Sequence, residues 1–214
     1  MTLIRTALAA LSTTIALSLA ACSPSNPEVV ALSQPLAAAS LAAAGTRCFE
    51  FDKAPLGFGA AHVVGDVIQT NNVTIHFHPY ESGGALYSNG SGYTNNSSLA
   101  ASQAPEFKPY VIRPQIVPNV PLSRVTMRFG EQLNAFRGQD NNFEVNGVVL
   151  AITNDLTSLN TTLVGGALVT VTPDAVQRAN LMTGTLEITA QASSIASFGI
   201  GGIQTYVDDV CMTP

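Results

Sequence analysis

Phe143-Glu144-Val145-Asn146-Gly147-Val148-Val149-Leu150 reads as two strands and the turn between them. Phe143 and Val145 flank a charged residue, the period-two pattern of a strand with one buried face. Asn-Gly accepts the positive φ angles of a two-residue hairpin turn better than almost any other pair. Val148-Val149-Leu150 then resumes as apolar, β-branched chain. The same texture extends both ways. Phe49 and Phe51 alternate with Glu50 and Asp52; Val73, Ile75 and Phe77 with Thr74, His76 and His78; Val125, Met127 and Phe129 with Arg124, Thr126 and Arg128. Further strand patterns cover residues 167–171, 186–189, 195–200 and 206–210. Short strands bounded by Gly, Asn and Pro, without long helical patterns between them, predict an all-β antiparallel sandwich. One helical turn is predicted over residues 172–178, capped by Thr172 or Asp174.

Only 11% of the 214 residues are charged and 46% are hydrophobic, so a charge-rich disordered chain is excluded and one sizeable core is affordable. The net charge of -5 and the lack of any Lys/Arg run leave no nucleic-acid footprint.

At the N-terminus, Arg5 precedes an apolar stretch over residues 7–21, which ends Leu19-Ala20-Ala21-Cys22. The stretch is short for a transmembrane span. It resembles the lipobox of bacterial lipoproteins, in which small residues fit the signal peptidase and the Cys thiol carries diacylglycerol. The resemblance implies a signal peptide at 1–21, a lipidated Cys22 with a linker over 22–46, and a domain over 47–214. Ser23, a non-Asp residue after the Cys, points to the outer membrane in a Gram-negative host. The linker opens Ser23-Pro24-Ser25-Asn26-Pro27 and continues Ala-rich over 36–44, where a short helix is compatible with the composition.

With Cys22 assigned to lipid, Cys48 and Cys211 remain at opposite ends of the domain. Export implies an oxidising compartment, so a disulfide is expected; two free thiols are the alternative. Neither Cys has another Cys or His at zinc-ligand spacing. Residues 79–105 form a Gly-, Ser- and Asn-rich stretch containing Tyr80, Tyr87 and Tyr93, expected to be a poorly ordered loop that offers its tyrosines to a ligand.

The two ends of the domain carry motif-like detail. One reads Cys48-Phe49-Glu50-Phe51-Asp52, followed by Pro55-Leu56-Gly57; the other reads Tyr206-Val207-Asp208-Asp209-Val210-Cys211. Together they resemble the jelly-roll β-sandwich domains of the carbohydrate-binding-module type found in secreted bacterial proteins. The resemblance implies a non-catalytic binding or display module, with a structural cation where the first and last strands meet. Strand parity leads to the same place. With Cys48 opposite Cys211, Glu50 falls opposite Asp209, and like charges so placed need a cation or a basic neighbour such as Arg47 or Lys53. Calcium suits such oxygen ligands. Glu50 and Asp209 are the expected core ligands, with Asp52 and Asp208 as further candidates; Asp208 requires a bulge to reach that face. The chain departs from sugar binders in having no Trp, so Tyr80, Tyr87, Tyr93, Tyr110 and Tyr206 would have to supply the stacking surfaces.

No nucleophile elbow, P-loop, zincin or dinucleotide-binding motif is present. His76 and His78 share a strand face, a spacing that can hold a metal with Glu81 as a third ligand; two solvent-facing histidines are the plainer reading. His62 shows no partner. Glu50, Glu131 and Glu144 are candidates for a glycosidase carboxylate pair, though none sits in a catalytic frame. The expectation is a lipid-anchored, non-enzymatic envelope or surface lipoprotein that binds a glycan or another envelope component. A small lipid-anchored hydrolase and a protein-interaction component of an envelope complex are the alternatives.

Overall fold

The computed structural model describes residues 45–49, 61–95, 106–133, 141–175, 180–203 and 205–214, with only the backbone at Phe49, Tyr93, Thr94, Asn95 and Glu106. The strands are β1 Arg47–Phe49, β2 His62–Val63, β3 Val67–Gln69, β4 Val73–Ser82, β5 Ala85–Tyr87, β6 Ser91–Asn95, β7 Glu106–Tyr110, β8 Ile112–Pro118, β9 Arg124–Gln132, β10 Asn141–Val145, β11 Val148–Ile152, β12 Thr162–Val164, β13 Ala167–Pro173, β14 Leu181–Ala190, β15 Phe198–Gly201 and β16 Thr205–Thr213. A 3-10 turn, Leu156–Leu159, is the one helical element among the described residues.

Two antiparallel sheets pack as a sandwich. The first has the order β12-β13-β14-β9-β16-β7-β6-β2, with β1 added on β16; the second has the order β11-β10-β15-β8-β4-β3, with β5 added on β4. The alternation read from the sequence sets the inner faces. Val125, Met127 and Phe129 of β9 and Leu186 and Ile188 of β14 are buried from the first sheet; Ile75, Phe77, Phe143 and Phe198 are buried from the second. Truncating such a Phe to Ala costs about 3–5 kcal/mol. Between β10 and β11, Val145 pairs with Val148. Asn146 and Gly147 take φ of 51° and 78°, the tight hairpin turn that Asn-Gly predicts.

Two expectations are corrected. Residues 79–95 are not a loop: β4 runs on to Ser82, turns at Gly83-Gly84 into β5, and β6 follows. Gly, Ser and Asn are compatible with short strands when neighbouring strands supply hydrogen bonds. Residues 96–105 lie outside the described residues. The helical turn over 172–178 is also not seen where it is described. Thr172 and Pro173 close β13, paired with Thr185 and Gly184, so tertiary pairing overrides a cap-like motif.

Candidate functional site

β4 changes character at Pro79. Val73, Ile75 and Phe77 are buried, but the next buried position is Tyr80, one residue out of phase. Beyond Pro79 the strand pairs with β5, setting Tyr80 opposite Tyr87 with ring centroids 6.2 Å apart. Asn142 of β10 anchors this hairpin. Its Oδ1 accepts from the Glu81 N–H (2.7 Å) and its Nδ2 donates to the Glu81 carbonyl (2.8 Å). Sequence reasoning missed Asn142, because a side chain pairing with backbone sixty-one positions away leaves no local pattern.

The hairpin walls a solvent-open cleft of about 460 Å³, lined by Tyr80, Ser82, Tyr87, Asn89, Gly90, Tyr110, Val111 and Ile203. That size falls in the range of small-ligand sites, about 300–1,000 Å³. Tyr80 is buried, whereas Tyr87 and Tyr110 are 43% and 47% exposed, large for aromatic rings in a folded domain. The cleft's side is strained. Val111 has φ 58°, a region a β-branched residue seldom enters. A Cβ on Gly90 would lie 1.8 Å from the Val111 carbonyl oxygen, so only glycine fits there. Strain of this kind, worth about 1–3 kcal/mol, concentrates at ligand clamps. Of the five tyrosines expected to supply stacking surfaces, the structure brings Tyr80, Tyr87 and Tyr110 together. The side chain of Tyr93 lies outside the description. Tyr206 is elsewhere, buried with the Lys108 ammonium 5.1 Å from its ring centroid.

A second polar group occupies the outer face of the second sheet. His76 pairs with Gln115 and His78 with Arg113 across β4 and β8, while Glu144 on β10 pairs with Gly199 on β15. Glu144 is buried, ion-paired with Arg113 and hydrogen-bonded by the Gln115 amide. Gln115 Oε1 lies 3.0 Å from His78 Nε2, and Ser197 Oγ lies 3.4 Å from Glu144 Oε1. Burial lowers the Arg113 guanidinium pKa, and the Glu81 charge opposes that. The serine meets the carboxylate rather than an imidazole, so this constellation does not reproduce a nucleophile–base pair. Glu81, expected as a third metal ligand, has its backbone tied to Asn142. His62, expected to lack a partner, stacks on Phe77 with centroids 5.0 Å apart and has Nδ1 3.8 Å from Asp66.

Glu131 lies in a separate cluster between the sheets. Its carboxylate accepts from Asn141 Nδ2 (2.6 Å) and the Leu156 N–H (2.9 Å), and Asn141 Oδ1 accepts from Thr205 Oγ1 (2.6 Å). Desolvation outweighs these bonds and raises its pKa to about 7. Glu131 and Glu144 thus belong to different hydrogen-bond networks, and Glu50 lies outside the described residues.

At the sandwich's terminal strands, Cys48 and Cys211 form a disulfide and stand directly opposite in the β1–β16 pair. Their Cα atoms are 3.9 Å apart, tighter than the usual 4.4–6.8 Å. Along β16 the register against β9 slips: Asp208 pairs with Arg128 but Cys211 with Thr126. Three steps on β16 answer two on β9, so this bulge puts Asp208 on the face of Cys211. Asp209, the residue expected there, takes φ 48° at the bulge and is half-buried. Asp208 is 0% exposed, and neither carboxylate oxygen has a hydrogen-bond partner among the described residues. Such oxygens fit a hard cation. Among the described residues no group of three His, Cys, Asp or Glu is placed to hold a metal. Glu50 and Asp52, like Cys22, lie outside the described residues. Arg47, expected as a possible basic neighbour, donates instead to Asn72 Oδ1 at 2.7 Å.

Comparison with family models, with curated proteins and with solved structures finds no match to this chain.

Proposed function

We propose that the chain is an exported, lipid-anchored β-sandwich protein that binds a glycan of the cell envelope or surface in the tyrosine cleft. The observation that carries this reading is the convergence of Tyr80, Tyr87 and Tyr110 with Ser82 and Asn89. Exposed aromatic faces stack on the apolar C–H faces of sugar rings, and amide and hydroxyl groups beside them pair with sugar hydroxyls. The module is non-catalytic in this reading, as its resemblance to jelly-roll carbohydrate-binding domains implies. Export and anchoring rest on Leu19-Ala20-Ala21-Cys22, and the disulfide supports an oxidising compartment. The outer membrane is the destination if the host is Gram-negative. A structural calcium is proposed beside β16, where the buried Asp208 oxygens lack partners among the described residues.

The test is a glycan array probed with the detergent-solubilised full chain. Binding to a defined glycan class is expected, and Tyr87→Ala and Tyr110→Ala should each weaken it about tenfold or more with unchanged melting temperature. Binding that is absent, or that survives both substitutions together, rejects the cleft as a sugar site.

A further inference from the structure

We propose that His76 and His78, which do not line the tyrosine cleft, form a binding site for a late first-row transition-metal ion such as zinc. The two histidines sit two apart on β4, on the outer face of the second sheet, because Ile75 and Phe77 take the core. Their ring centroids are 6.2 Å apart. Two imidazoles on one metal at about 2.0–2.1 Å per bond hold their centroids roughly 5–6.5 Å apart, depending on the bond angle. The observed separation falls within that range, so the spacing of the rings is compatible with both binding one ion.

The surrounding hydrogen bonds prepare one of these rings. Glu144, ion-paired with Arg113, can only accept, so the Gln115 amide must present its NH2 group to it. The Gln115 carbonyl oxygen then faces His78 Nε2 at 3.0 Å and can only accept a proton from it. That fixes His78 as the Nε2–H tautomer and leaves the Nδ1 lone pair as its ligand atom. Metal-binding histidines characteristically donate their second N–H to a carbonyl or carboxylate, which orients the ring and raises its basicity. Here the chain runs from His78 through Gln115 to the buried Glu144. His76 has no hydrogen-bond partner among the described residues, so its ring nitrogens remain available.

Arg113, opposite His78 in the ladder, would repel a cation if its charge stood alone. Glu144 neutralises it, and Glu81 adds further negative potential. Two protein nitrogens leave the remaining coordination positions to water or to an external ligand, so the expected affinity is micromolar rather than that of a closed structural site.

The full chain in detergent is titrated with zinc chloride by calorimetry, and copper(II) bound to the wild type is examined by electron paramagnetic resonance. One zinc per chain is expected, with two equivalent nitrogen couplings in the copper spectrum. His76→Gln and His78→Gln should each weaken zinc binding about tenfold or more, and Gln115→Leu, which touches no metal, about 10–100-fold. His62→Gln should leave it unchanged. No binding at millimolar zinc, zinc binding that persists in the His76→Gln, His78→Gln double variant, or a copper spectrum lacking two nitrogen couplings overturns the site.

Discussion

Asp208 faces Arg128 across the β9–β16 pair, yet the guanidinium is bonded to Asp174. Both Asp174 oxygens accept from Arg128, at 3.0 and 2.6 Å, and Thr185 Oγ1 takes a further bond at 3.0 Å. The carboxylate beside it is fully buried and has no donor among the described residues. An ionised group so placed is costly unless something cationic joins it.

Millimolar calcium should raise the melting temperature of the wild-type chain, because an ion that binds only the native state stabilises it. Saturation a hundredfold above the dissociation constant is worth about 2.7 kcal/mol, roughly 5 °C or more for a domain this size. Asp208→Asn should abolish this response to calcium. No shift with calcium, or a shift that survives Asp208→Asn with Asp209→Asn, rejects the ion.

Glu131 makes stability fall with rising pH. Its folded pKa of about 7 exceeds the ordinary carboxylate value of 4.5, so the native state holds the proton more tightly than the unfolded chain. The contribution is fully present below pH 4.5, declines through the interval up to about 7, and is gone above it. The span corresponds to roughly 3 kcal/mol. Glu131→Gln mimics the protonated acid and should flatten this slope in denaturant titrations at pH 5 and pH 8. An unchanged slope would show that another group sets it.

Reducing the disulfide should cost about 5 kcal/mol in the chain-entropy model, since it closes a sequence separation of 163 residues. Cys48→Ser measured under oxidising conditions should reproduce the loss. Equal midpoints for the wild type with and without reductant would contradict the entropic account.

Asn146 ties the β10–β11 turn to two other segments. Its Nδ2 donates to the Gly165 (2.7 Å) and Ser194 (3.1 Å) carbonyls, while its Oδ1 accepts from the Ala196 (2.7 Å) and Ser197 (3.3 Å) N–H groups. Asn146→Gly keeps the positive φ and loses these bonds; Asn146→Ala loses both. The Ala variant should be destabilised by about 3 kcal/mol and the Gly variant by about 1 kcal/mol less, measured by chemical denaturation. Near-wild-type stability for Ala would mean that the side-chain bonds are replaced by water at no cost.

The sandwich was legible wherever one face of a strand is buried and the other is wet. His76 and His78 could be placed outward because Ile75 and Phe77 leave no other choice. The disulfide followed from counting cysteines. The cleft was not legible as a cleft, since Tyr110 comes from β7 and reaches Tyr80 and Tyr87 only through the fold. Parity also fails where a strand slips: it gave the disulfide's face to Asp209, and the bulge gave it to Asp208. Buried pairs such as Arg113 with Glu144 join strands distant in sequence, and no periodicity announces them.

β1 is only three residues long, and its middle residue is Cys48. Held by backbone hydrogen bonds alone, so short a strand would unzip one bond at a time under tension applied through residue 47. The covalent link to Cys211 changes the path of that load. Tension entering from the N-terminal side crosses to β16, and β16 lies between β9 and β7 inside the first sheet. Peeling is thereby replaced by shear against a ladder that engages along most of β16 at once. A ligand held in the tyrosine cleft would pull against the whole sandwich rather than against β1 alone.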